Sequence, residues 1–144
     1  MNAIFQKPHH MLAMLVIAAS TFAAGTGLAA AADVKVALTG GHEVPPVTTN
    51  ASGSGTLSIN ADKSVAGSIT TSGVEGTMAH IHEAAAGKNG PIIVPLEKQG
   101  DRWAVPAGAK LTDAQYKAFQ KGDLYVNVHS AAHPGGEIRA QLKP

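Results

Sequence analysis

From Asp33 onward, apolar and polar residues alternate in short runs broken by Gly, Pro, Asn and Asp. Val34–Leu38 reads Val-Lys-Val-Ala-Leu, the period-2 pattern of a half-buried strand. Gly40-Gly41 and Pro45-Pro46 interrupt it, and because proline cannot donate to a ladder, Glu43–Val47 is expected as an extended edge or loop. Gly55–Ile59 and Val65–Thr70 flank the polar Asn60–Ser64, which predicts a hairpin. Met78–Glu83 and Ile92–Leu96 are further strands, joined by the loop Ala84–Pro91, and Arg102–Val105 adds a short one. Leu111–Lys121 differs: Leu111, Gln115, Tyr116 and Phe119 recur at helical spacing, Thr112 suits an N-cap, and Gly122 ends the run. Leu124–Ser130 and Glu137–Leu142 alternate cleanly around Ala131–Gly136 and predict an antiparallel pair. Six to eight short strands with one short helix predict an all-β fold, a Greek-key β-sandwich or barrel. With only Trp103, Tyr116, Phe119 and Tyr125 as aromatics in this part, the core must come mainly from Val, Ile, Leu and Ala.

The residues before Asp33 follow a different rule. Met1–His10 is polar with one cation, Lys7; Met11–Ala24 is an uncharged, largely apolar run; and Gly25–Ala32 is a small-residue stretch that ends in Ala30-Ala31-Ala32. The run is shorter than the ~20 residues of a membrane-spanning helix, and a small-residue processing site follows it. Residues 1–32 therefore read as a signal peptide cut after Ala32, and residues 33–144 as one β domain, periplasmic or secreted. No Cys stands at the cut, which excludes a lipoprotein, and the absence of Cys elsewhere excludes disulfides and thiol chemistry. From Asp33 on there are ten acidic and ten basic residues, so the domain is neutral with His uncharged. It lacks the basic surplus that nucleic acid or an anionic membrane would require.

The chemistry-bearing feature is His80-Ile81-His82. On a strand, alternate side chains share a face, so Ile81 points to the core while both imidazoles project from the other side, roughly 7 Å apart at the backbone. In Tyr125-Val126-Asn127-Val128-His129, Val126 and Val128 take the core face and His129 the outer one. Two strands thus offer three surface imidazoles to one ion, and imidazole suits copper and zinc. His42 and His133, in loops, are candidate fourth ligands, and Met78 shares the parity of His80 as a soft donor. Catalytic patterns are missing: there is no Gly-x-Ser-x-Gly elbow, no calcium loop, and the glycines near Gly53 and Gly73 sit among β-segments rather than opening a helix. Glu43, Glu137 and Arg139 read as structural, through backbone hydrogen bonds or cross-strand pairing.

Several of these segments, taken in order, carry a resemblance. Leu38-Thr39-Gly40, His42–Val47, Ala79–His82, Gly87–Pro91, Gly122–His129 and Pro134–Arg139 together resemble the chordin-type (CHRD) domain over nearly the whole of residues 33–144. The resemblance implies an all-β, immunoglobulin-like or barrel-like fold of exported bacterial proteins, and no particular activity. In the animal protein that names the family, the domain belongs to an extracellular binder of growth factors. His80-Ile81-His82-Glu83, Val128-His129 and Gly136-x-x-Arg139 are also similar to the copper-site pattern of copper/zinc superoxide dismutases. By that likeness His80, His82 and His129 match copper ligands and Arg139 an anion-guiding arginine. The long loop with the bridging histidine, the zinc ligands and the disulfide have no counterpart here.

Three functions remain open on this reading. The first is an exported binding protein that holds copper through His80, His82 and His129, serving periplasmic copper handling. The second is a metal-free module that binds another extracytoplasmic protein. The third is a copper-dependent redox enzyme.

Overall fold

The computed structural model describes residues 31–144; the expected signal peptide lies outside this range, except for its last two residues. Every strand pairing among the described residues is antiparallel. The strands are β1 (Ala32–Thr39), β2 (Ser52–Ile59), β3 (Val65–Ser72), β4 (Gly76–Glu83), β5 (Ile92–Pro95), β6 (Glu97–Gln99), β7 (Arg102–Ala104), β8 (Leu124–Ser130) and β9 (Ile138–Leu142). They form one sheet in the order β5-β4-β8-β9-β1-β2-β3-β7-β6. The two ends of that order are consecutive pieces of chain, so the sheet curls until it nearly closes on itself. The Leu96 amide donates to the Ala79 carbonyl at 2.9 Å, and Lys98 Nζ to the Gly76 carbonyl at 2.6 Å, drawing the seam together. An all-β barrel is the result, in agreement with the alternation pattern.

Alternation explains the core. Val34, Val36 and Leu38 of β1, Leu57 and Ile59 of β2, and Val65 and Ile69 of β3 all point inward and are buried. Ile81, Val126, Val128 and Ile138 are fully enclosed on the opposite wall. Trp103 fills the end near the seam, and Gly76 makes room for it: a Cβ there would lie 2.7 Å from the indole. Helix α1 (Asp113–Gln120) plugs the barrel with Phe119. It starts where the capping residues dictate, two residues later than the apolar spacing suggests. The Gln115 amide donates to Thr112 Oγ1 at 3.2 Å, and the Thr112 amide to Gln115 Oε1 at 2.8 Å, a reciprocal capping box.

The wall made by β4, β8 and β9 is covered on both sides. Every residue of β8 is buried, although alternation puts only half of them in the core. Three segments lie over the outer side: Gly40–Asn50, Ala84–Pro91 and Ala131–Glu137. Their contacts to that wall build the site.

Candidate metal centre

The ladder between β4 and β8 sets the histidines against one another. Met78 stands opposite His129, His80 opposite Asn127, and His82 opposite Tyr125. Because Ile81, Val126 and Val128 face the core, all six of these residues share the other face. The expected parity is therefore present. One ring nitrogen from each of His80, His82 and His129 falls within 4.8 Å of the other two, a group that could hold a metal ion. Beside β4, the strand β5 carries one residue, Ile93, more than its partner at the Ile81–His82 step, a bulge next to the site.

Expected as surface ligands, the three imidazoles are instead buried: His80, His82 and His129 are 8, 6 and 7% exposed. The difference comes from the covering loops, whose backbone carbonyls fold over the rings. His82 Nδ1 lies 2.9 Å from the Gly90 carbonyl, and His129 Nδ1 lies 2.9 Å from the Pro134 carbonyl. A carbonyl only accepts, so each Nδ1 carries the proton, and each Nε2 is left with its lone pair. His129 Nε2 faces His80 Nδ1 at 3.2 Å, close to the separation of about 3.3 Å that two nitrogens adopt on one tetrahedral ion at 2.0 Å. Among the described residues, His82 Nε2 is buried without a hydrogen-bond partner. Buried polar atoms are rarely left so, and a lone pair held among two other imidazoles is suited to a cation.

Burial favours the neutral form of two of these rings, His80 and His82. Burial pushes His80 down to about 4, with His129 and His82 nearby adding to the effect. Burial likewise lowers His82, although its bond to Gly90 works the other way. A neutral imidazole is the form that ligates, so burial prepares both rings for a metal at neutral pH.

Around the trio sits a polar shell. Tyr125 stacks on His82 with centroids 4.7 Å apart and planes only 5° from parallel. Arg139, on the neighbouring strand β9, places its guanidinium carbon 3.4 Å from the Tyr125 ring centre. The same guanidinium donates to Asn89 Oδ1 at 3.0 Å and to the Lys88 carbonyl at 2.8 Å, while Asn89 Nδ2 donates to the Val44 carbonyl at 2.7 Å. Arg139 thus fixes the Ala84–Pro91 loop that presents Gly90 to His82. Glu43 is buried beside Asn127 and Arg139; burial raises its carboxyl above the ordinary range, opposed by Arg139. Gly136 packs against this carboxyl at φ 128°, where a Cβ would come within 2.5 Å of Glu43 Oε1.

The structure separates the remaining candidates from the trio. His42 is exposed and lines a different cavity, and His133 is half-buried; neither joins the group of three. Met78 is 49% exposed at the rim beside His129. Glu137 accepts from Thr49 Oγ1 at 2.7 Å, a structural bond. The shell residues Tyr125 and Asn127 were identifiable in principle, because they share the parity of His129. The carbonyls of Gly90 and Pro134 leave no mark in the residue pattern.

Residues 34–142 match the family model of the CHRD domain. The chain belongs to the CHRD domain family. The match spans β1 through β9, so the barrel as a whole is the CHRD unit, and the histidine trio lies inside it. No curated protein and no solved structure matches this CHRD chain. No helix among the described residues is long and apolar enough to cross a membrane.

Proposed function

We propose that this CHRD domain is an exported metal-binding protein that holds one copper ion through His80, His82 and His129. The observation that carries the reading is the buried Nε2 of His82, unpartnered among the described residues, on one of three imidazoles that each bring a ring nitrogen within 4.8 Å of the other two. Both His82 and His129 donate their other ring N–H to a backbone carbonyl, the arrangement that orients metal-bound histidines and fixes their tautomer. An all-imidazole set without a carboxylate disfavours calcium and magnesium. Among first-row ions it favours copper, and Met78 adds a thioether at the rim for the reduced state. Three protein donors leave a coordination position open, as reversible capture and release would require. Export rests on the apolar run and small-residue site before Asp33.

The test is titration of tag-free protein with Cu(II) and Cu(I), beside the His80→Ala/His82→Ala double variant checked for folding by circular dichroism. One ion per chain, lost in the folded variant, supports the reading. A second reading has its own observation: the His80–His129 contact and the two loop carbonyls already tie the rings together, so the trio could serve only to pin loops in a metal-free interaction module. Equal weak binding by both proteins favours that alternative.

A further inference from the structure

The loop that caps the histidines also forms one wall of a separate cavity. About 690 Å³ opens between the Gly41–Pro46 segment, the Ala86-Gly87 turn and β9, a volume typical of sites for small organic molecules. None of the three clustered histidines lines it. Its walls are partly apolar, through Val44, Pro46 and Ala140, and its charged groups are mostly cationic: Arg139 and Lys143 against the single carboxyl of Glu43.

Arg139 sets the electrostatics. It is 1% exposed, yet among the described residues the one ion pair is the distant Lys63–Asp113. Its hydrogen bonds go to neutral acceptors, the Asn89 side chain, the Lys88 carbonyl and, at 3.5 Å, Gln141 Oε1. They account for three of the five N–H donors of a guanidinium. Burying a charge is costly unless an opposite charge compensates it. Glu43 lies nearby but outside ion-pair distance, and burial raises its carboxyl while Arg139 opposes the rise. The cavity therefore combines a buried cation that has no carboxylate within ion-pair distance with a second cation at its exposed rim and an apolar side wall.

We propose that this cavity binds a small organic monocarboxylate, with the charged end toward Arg139 and Lys143 and the apolar body along Val44, Pro46 and Ala140. One negative charge balances the surplus of Arg139 and Lys143 over Glu43, whereas a phosphate dianion would exceed it and would leave the apolar wall unused. This inference stands without the metal reading.

The purified protein, in chelator, is titrated with butyrate and benzoate by amide NMR, with benzamide as the neutral isostere and inorganic phosphate as the other anion. Saturable shifts at Gly41, Ala86, Gly87 and Gln141 with a carboxylate and not with benzamide are expected. Lys143→Met, an exposed position that leaves the core intact, should weaken binding about 2- to 5-fold, as for a rim ion pair. The proposal is overturned by any of four results: no saturable shift at millimolar carboxylate, equal shifts with benzamide, tighter binding of phosphate, or unchanged affinity in Lys143→Met.

Discussion

Acid should destabilise the metal-free protein through His80, and by an amount the structure sets. The ring has an ordinary value of 6.5 and is pushed down to about 4 in the fold, chiefly by burial. The unfolded chain therefore takes up this proton near pH 6.5, and the folded chain only near pH 4. Between those values the unfolded state binds more protons, so stability falls as pH falls. At 1.36 kcal/mol per pKa unit, the shift corresponds to a loss of about 3 kcal/mol from pH 8 to pH 4, with none above pH 7. Other groups titrate in the same window: His82 and Glu137, both lowered, add to the loss, and Glu43, raised, opposes it. His80→Gln removes the one proton while keeping a polar side chain. The assay is urea unfolding in chelator at pH 8, 6, 5 and 4, for the wild type and His80→Gln. The wild type should lose about 3 kcal/mol more than the variant over that range. Parallel loss in the two proteins would refute the claim that burial holds this imidazole neutral.

Three further outcomes follow from the same geometry. Nitrogen-15 NMR of the metal-free protein at neutral pH should find His82 and His129 as Nδ1–H tautomers, because each Nδ1 faces a carbonyl; an Nε2–H signal for either would remove the ligand set. Gly136→Ala should cost about 1–3 kcal/mol in denaturant unfolding, since it forces a Cβ onto Glu43 Oε1 at a φ of 128°; a neutral result would mean that the Ala131–Glu137 loop yields freely. Expressed in a bacterium with its full sequence, the protein should be recovered outside the cytoplasm lacking residues 1–32 by intact mass; an unprocessed chain would contradict export by a removable signal.

How much of this could be read in the residues depends on where each constraint acts. In Leu124–Ser130 and Met78–Glu83, strict alternation told the faces apart, so the common side of His80, His82 and His129 was legible. The relative register of β4 and β8, which brings His129 beside His80 across 49 positions, was not. It arises from ladder pairing between segments far apart in the chain. Glu97–Gln99 escaped notice as a strand because all three residues are exposed and carry no apolar alternation. The burial of the trio was hidden for another reason: a loop such as Ala84–Pro91 shows its Gly and Pro but not the surface it will cover. Arg139 holds it there by contacts 50 and 51 residues distant. The helix start, by contrast, was written in Thr112 and Gln115, and the cap outweighed the apolar Leu111 before it.

One ion held among three imidazoles is the central expectation, and a crystal structure of the copper-loaded protein tests it most directly. It should show a single ion within about 2.0–2.2 Å of His82 Nε2, His129 Nε2 and the His80 ring, with the Gly90 and Pro134 carbonyls still bonded to Nδ1. Copper bound instead at exposed His42 or at His133, with the His80–His129 contact intact, would contradict it.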